Sequence, residues 1–141
     1  YKLDAAAWNK VYRKDLIRLH NLCFSENVFY REDFLFNYKY EQLINGEFYI
    51  IYQPIYFNRI HNNSSTSSMF TNKEKIAKCY QSFLCVAYEI KNFSYNKNSV
   101  LYNEGISGVL TNLFWLSING RIKPKAIIFD LKSKKSHIFE S

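Results

Sequence analysis

The chain has 141 residues, nearly half of them hydrophobic, with a net charge of +7, 12 Tyr and 12 Phe but only 4 Gly and 2 Pro. That is enough apolar side chain for one domain-sized core without disulfides or metals, and too little Gly and Pro for a collagen-like or low-complexity chain. Three cysteines, Cys23, Cys79 and Cys85, form no CxxC pair and leave an odd count, which argues against a disulfide scaffold and against a zinc site.

Taken in chain order, apolar positions near a 3.6-residue period (Val11, Tyr12, Leu16, Leu19, Phe24) predict a helix over 4–24, and a second over 31–43 after the polar break Ser25-Glu26-Asn27. Residues 47–56 have the β-branched and aromatic density of a strand that ends at Pro54. The Asn-, Ser- and Thr-rich stretch 61–71 reads as a loop, and 72–82 as a helix. The apolar run 83–88 suits a strand covered on both faces, and Cys85, inside Phe83-Leu84-Cys85-Val86-Ala87, reads as buried as a small hydrophobe. A helix or loop over 91–99 follows, then a turn-rich patch at 102–105 and an apolar helix or strand reaching Ile118. Asn119-Gly120 is a turn signal, Lys123-Pro124-Lys125 keeps a helix from running into the next segment, and Ala126-Ile127-Ile128-Phe129-Asp130-Leu131 is the clearest strand of the chain. Alternating helices and strands predict an α/β fold of parallel βαβ units, residues 46–141, preceded by an N-terminal helical extension, residues 1–45. No stretch approaches the about 20 apolar residues that cross a bilayer, so no membrane partner is expected.

Charge is unevenly placed. Residues 1–70 carry 8 basic and 7 acidic side chains, net +1, whereas 71–141 carry 11 and 5, net +6. Such clustering concentrates polyanions such as RNA near the surface. Arg121, Lys123, Lys125, Lys132, Lys134 and Lys135 bracket the predicted strand 126–131 with Asp130 alone opposing them, a pattern suited to the phosphates of a folded RNA. Gly105 and Gly108 lie in a segment where Ser107, Thr111 and Asn112 offer neutral hydrogen-bond donors, so a close approach to an RNA backbone is expected there. Two glycines are too few for a phosphate-binding loop. The aromatic series Tyr30, Phe34, Phe36, Tyr38 and Tyr40 reads as core or protein-interface packing in preference to base stacking. His20, His61 and His137 have no ligand or catalytic partners at a telling spacing, and no HExxH, GxSxG or P-loop pattern is present. Asp130, without a GxGxxG, reads as structural. No catalytic role, metal or cofactor is expected.

The order of Phe83-Leu84-Cys85-Val86, then Tyr102-Asn103-Glu104-Gly105-Ile106-Ser107-Gly108-Val109-Leu110-Thr111-Asn112, then Lys123-Pro124-Lys125-Ala126-Ile127-Ile128-Phe129-Asp130 resembles the S-two family of small-subunit ribosomal proteins, with His137-Ile138-Phe139-Glu140 echoing its next feature. The resemblance covers residues 80–141. Upstream, Arg59-Ile60-His61, Thr66 and Met69-Phe70 are similar to the family's first strand and its threonine, and Asn45-Gly46-Glu47-Phe48 is a relic of its N-terminal motif. Departures are Ser107 in place of the first paired glycine, Gly105-Ile106 where the family has a tryptophan, and a shorter chain, as in a split or shortened version completed by a second chain.

The resemblance implies a flavodoxin-like three-layer parallel sheet that contacts rRNA and neighbouring small-subunit ribosomal proteins without cofactor or turnover. It implies that Gly108, Leu110, Thr111 and Asn112 belong to the family motif, with Pro124 and Asp130 bounding the last strand. Together with the charge pattern, the expected RNA-binding set is Arg59, Asn103, Ser107, Gly108, Thr111, Asn112, Arg121, Lys123, Lys125, Lys132, Lys134 and Lys135. Abundant Asn, Lys, Ile, Tyr and Phe are the residues of AT-rich codons, which points to an organellar or otherwise AT-rich genome and, taken with the resemblance, to a mitochondrial ribosome. Two competing readings are an N-acetyltransferase-like domain, on the likeness of 15–24 with Tyr30 and Phe34 to that superfamily's opening helices, and an accessory subunit of a mitochondrial respiratory complex. The first lacks the Gly-rich pyrophosphate loop such enzymes need.

Overall fold

The computed structural model describes residues 6–44, 49–54, 56, 57, 59, 72–93, 100–119 and 121–133, and these contain five helices and no strand. They are α1 (Lys14–Leu19), α2 (Glu32–Glu41), α3 (Lys73–Phe93), α4 (Val100–Ile118) and α5 (Pro124–Ser133). The expected flavodoxin-like α/β fold is therefore corrected to a helical one.

Each predicted strand fails for a physical reason. The run at 83–88 is the middle of a longer pattern, Ile76, Cys79, Tyr80, Phe83, Leu84, Val86, Ala87 and Ile90, all buried on one face of α3. Those positions recur at three- and four-residue steps, the signature of a helix face. Asn72 starts α3 by capping it: its Oδ1 accepts from the Glu74 N–H at 2.8 Å and, more weakly, from the Lys75 N–H at 3.4 Å. At 126–131, Pro124 opens a helix instead of excluding one, because the first helical position needs no N–H and the proline φ is already helical. Ile127 and Leu131, four apart, are then both buried. Residues 49–54 and 56 adopt no regular structure, and Glu47, Phe48 and Ile55 of the strand predicted over 47–56 lie outside the described residues, as does the predicted loop 61–71. With no sheet among the described residues, the shortened parallel sheet that a second chain would complete has no counterpart there either.

The main core joins α2, α3, α4 and α5. Leu35 and Tyr38 of α2, Phe83, Val86 and Ile90 of α3, Val109, Leu113 and Leu116 of α4, and Ile127 and Leu131 of α5 are all buried in it. A second cluster forms on the other side of α2, where Phe36 and Tyr40 meet Leu22 and are backed by Tyr12, Leu16 and Ile17. The aromatic series of 30–40 is thus divided between two apolar contacts, and the packing reading of the sequence describes it.

Polar contacts fix the layers. Ser82, buried in α3, accepts from the backbone N–H groups of Phe29 (2.9 Å) and Tyr30 (3.2 Å) and donates to the Lys78 carbonyl (2.9 Å), which pins the approach to α2. The Lys39 ammonium meets the Glu89 carboxylate at 2.8 Å, joining α2 to α3. The Tyr80 hydroxyl donates to Asp130 at 2.7 Å and so ties α5 to α3. Burial first, and then that carboxylate, hold the Tyr80 phenol above its usual range and keep it a donor.

Glu41, at the end of α2, is the group through which pH acts on this packing. Burial pushes its carboxyl up to about 7; Lys10 pulls it back and Glu104 adds to the rise. A carboxyl that holds its proton more tightly when folded leaves stability intact below about 4.5 and erodes it as pH rises to about 7, because the unfolded chain releases the proton first. The carboxyl is partly exposed, so screening reduces the penalty to about 1 kcal/mol. Glu41→Gln should therefore raise the melting temperature by about 3 °C at pH 8 and leave it unchanged at pH 4. Thermal melts of both proteins at the two pH values check this; a gain at pH 4 as large as that at pH 8 would contradict it.

Candidate nucleic-acid interface

α4 is nearly uncharged, with Glu104 its one ionisable carboxylate. Its inner side, Gly105, Val109, Leu113 and Leu116, is buried. Its exposed side begins at Val100 and from there reads Asn103, Glu104, Ser107, Thr111, Phe114, Trp115 and Ile118, a single stripe because those positions recur at helical spacing. From Asn103 to Ile118 the stripe runs about 22 Å at the helical rise. It is polar through its first turns and aromatic in its last two.

The chain then turns sharply. The Arg121 N–H donates to the Leu116 carbonyl at 3.0 Å, the six-residue closure of a Schellman-type helix end, and the Asn119 side-chain amide donates to the Trp115 carbonyl at 2.8 Å. The turn signal at Asn119 thus acts as expected. This closure folds Arg121 back so that its guanidinium carbon stands 5.9 Å from the Trp115 ring centroid, within cation–π range. Lys123 and Lys125 follow at the start of α5, both exposed. Between Glu104 and Asp130 the chain contains no acidic residue, and Asp130 is turned to Tyr80. The chain through the α4–α5 corner thus contributes three cations and no carboxylate of its own.

The expected RNA-binding residues divide into three groups. Asn103, Ser107 and Thr111 are brought onto the exposed α4 stripe, and Arg121, Lys123 and Lys125 onto the corner that continues it. Gly108 and Asn112 are not available as a glycine-bearing turn, because both lie inside α4. The Asn112 amide donates to the Gly108 carbonyl at 2.6 Å, and its Oδ1 is approached by the Arg31 guanidinium at 3.4 Å, so this side chain serves the α2–α4 junction. Thr111 also donates to its own helix, at the Ser107 carbonyl, 2.8 Å away, yet stays exposed. Arg59 is exposed in irregular chain between α2 and α3 and is not part of the stripe. Lys132 is a residue of α5, while Lys134 and Lys135 lie outside the described residues.

Sequence reasoning missed Phe114, Trp115 and Ile118. They read there as part of an apolar helix or strand, and only the helical register shows that they share a face with Ser107 and Thr111. Phe114 is 65% exposed, Trp115 44% and Ile118 68%, values that set them apart from the buried leucines on the same two turns. Among the described residues no group of His, Cys, Asp and Glu is placed to hold a metal ion, and no helix is long and apolar enough to cross a membrane. His20 is exposed, whereas His61 and His137 fall outside the described residues. Cys79 is buried, Cys85 half-buried and Cys23 exposed, all three as free thiols. No protein-family model, curated protein or solved structure matches this chain.

Proposed function

We propose that this chain is a non-catalytic RNA-holding component of a ribonucleoprotein particle, the small subunit of a mitochondrial ribosome. The observation that carries the RNA reading is the α4–α5 corner: Arg121, Lys123 and Lys125, exposed and unopposed by acid, at the end of a stripe bearing Asn103, Ser107 and Thr111. Cations at that density take phosphates, while amide and hydroxyl groups reach sugars and base edges. The choice of particle rests on the basic C-terminal half and the AT-codon residue bias. It takes no support from the fold, since a helical core is not the flavodoxin-like frame of the S-two family.

Two measurements test this. Fluorescence anisotropy of a labelled rRNA fragment titrated with the 141-residue chain should give binding whose logarithm falls linearly with the logarithm of KCl concentration, with a slope of about −2 to −3 for three phosphate contacts. Salt-independent binding, or none at low salt, overturns the RNA reading. Co-sedimentation with the small subunit in gradients of native organelles tests the particle; recovery with membrane complexes alone would favour a respiratory accessory subunit instead.

A further inference from the structure

We propose that the end of α4 is a stacking platform for unpaired nucleotides, with Trp115 and Phe114 taking bases while Arg121, Lys123 and Lys125 take the phosphates between them; this rests on the RNA reading above. A charged corner alone would be served equally by duplex and single strand. What distinguishes this corner is two aromatic side chains, Phe114 at 65% and Trp115 at 44% exposure, where a basic helix end would ordinarily carry polar residues. Stacking on such rings is independent of base identity because every base presents a π-face, but it requires that face to be free, which a continuous duplex does not offer.

The placement of Arg121 fits the same use. Its guanidinium sits over the Trp115 ring, so a base that stacks at this indole meets a cation within reach of its own phosphate. Ile118, one turn on from Phe114 and Trp115, extends the apolar floor beneath the base. Further back along the stripe, Thr111, Ser107 and Asn103 place hydroxyl and amide groups where the strand's 2′-hydroxyls and base edges would follow.

An anionic bilayer is the other partner that basic and aromatic side chains together can take, and the polar interruption of the exposed α4 face decides against it. A helix that lies in a membrane interface is apolar along its whole immersed face. The exposed face of α4 is apolar at Val100 and again in its last two turns, and between them it carries Asn103, Glu104, Ser107 and Thr111. Immersing that stripe would desolvate a carboxylate and three polar groups, whereas a nucleotide strand leaves them hydrated or bonded.

Trp8 is the second of two tryptophans and stacks on Tyr56 at 4.5 Å, so Trp8→Phe, which keeps an aromatic ring there, leaves Trp115 as the sole indole reporter. In that background, a uridine oligomer of about twelve nucleotides should quench the Trp115 emission. A duplex RNA with the same number of phosphates should bind more weakly and quench little. Trp115→Leu should lower affinity for the single strand roughly five-fold or more, with Phe114→Leu acting in the same direction, and should leave the salt slope and the duplex affinity unchanged. Equal binding of both RNAs, unmoved by Trp115→Leu, overturns the platform and leaves the RNA reading standing. Failure to bind either RNA, with a blue-shifted indole on phosphatidylserine vesicles, overturns both.

Discussion

Gly105→Val should lower the stability of the fold by about 3 kcal/mol, a drop in melting temperature of roughly 10 °C, while Gly108→Ala, one helical turn away, should raise it by about 0.5–1 kcal/mol. Glycine costs a helix interior about 1 kcal/mol relative to alanine, so two glycines in the middle of α4 ask for separate explanations. At Gly105 the explanation is steric. A Cβ there would lie 2.8 Å from Cε2 and 3.2 Å from Cδ2 of Tyr38, and 3.3 Å from Cδ1 of Ile90. Tyr38 and Ile90 are both buried in the main core, so neither can swing aside without moving its neighbours. Side chains of α2 and α3 both press on the α4 backbone here, and the missing side chain allows it. At Gly108 the nearest atom to an added Cβ would be Cζ of Phe34 at 3.9 Å, an ordinary contact, so only the propensity gain remains. Gly105→Ala sets the same clash against the same gain and should come out near neutral or somewhat destabilised. Urea or thermal unfolding of the three variants decides it. Equal and opposite responses are not expected, but the signs for Gly105→Val and Gly108→Ala must differ; a stabilised Gly105→Val would show that the three helices do not converge there.

What could be read from residues alone, and what could not, follows from the same close packing. The helix at 31–43 was legible because its register is short and its neighbours are polar, and it appears as α2 at Glu32–Glu41. The start of the next helix was legible from Asn72. Its end was not. Five consecutive apolar residues, Phe83 to Ala87, look alike whether they form a strand covered on both faces or the buried middle of a helix. The information that separates the two lies outside the run, at Ile76, seven residues before it, and at Ile90, three residues after it. Pro124 misled for a related reason: a proline excludes the helix that would pass through it but favours the one that begins at it. β-branched and aromatic density at 126–131 then reinforced a strand reading that burial of Ile127 and Leu131 overrides, since β-propensity largely reports fit to a half-buried surface.

The candidate interface fared differently, because cations are legible without knowing the fold. Arg121, Lys123 and Lys125 are exposed and close in sequence in either architecture, so their grouping survived the correction from sheet to helix. Asn112 did not survive it. In a strand-to-helix turn it would have pointed outward as a donor, whereas in α4 it bonds the Gly108 carbonyl and meets Arg31. Asn103, Ser107 and Thr111 gained from the same change: four residues apart in a helix, they share a face, which a loop would not have required.

Reversing the three cations of the corner should have the largest effect on function. The variant Arg121→Glu/Lys123→Glu/Lys125→Glu should bind single-stranded RNA at least a hundred-fold more weakly near 0.1 M salt, and its salt slope should flatten by about 2, since each lost phosphate contact removes about 0.7 from the slope on a single strand. None of the three side chains is buried, and none makes an ion pair among the described residues, so the fold should remain; far-ultraviolet circular dichroism and the melting temperature would show it. The control is Lys39→Gln. Lys39 is a cation too, but it is spent on Glu89 between α2 and α3, so its loss should cost stability and leave RNA affinity nearly unchanged. A two-fold response to the triple reversal, or an equal response to Lys39→Gln, would mean that RNA answers to the net charge of the chain and not to this corner. The expected contrast instead ties affinity to geometry: a helix end closed by the Arg121 N–H, a linker too short to let the three cations disperse, and a stretch from Glu104 to Asp130 with no carboxylate to compete for them.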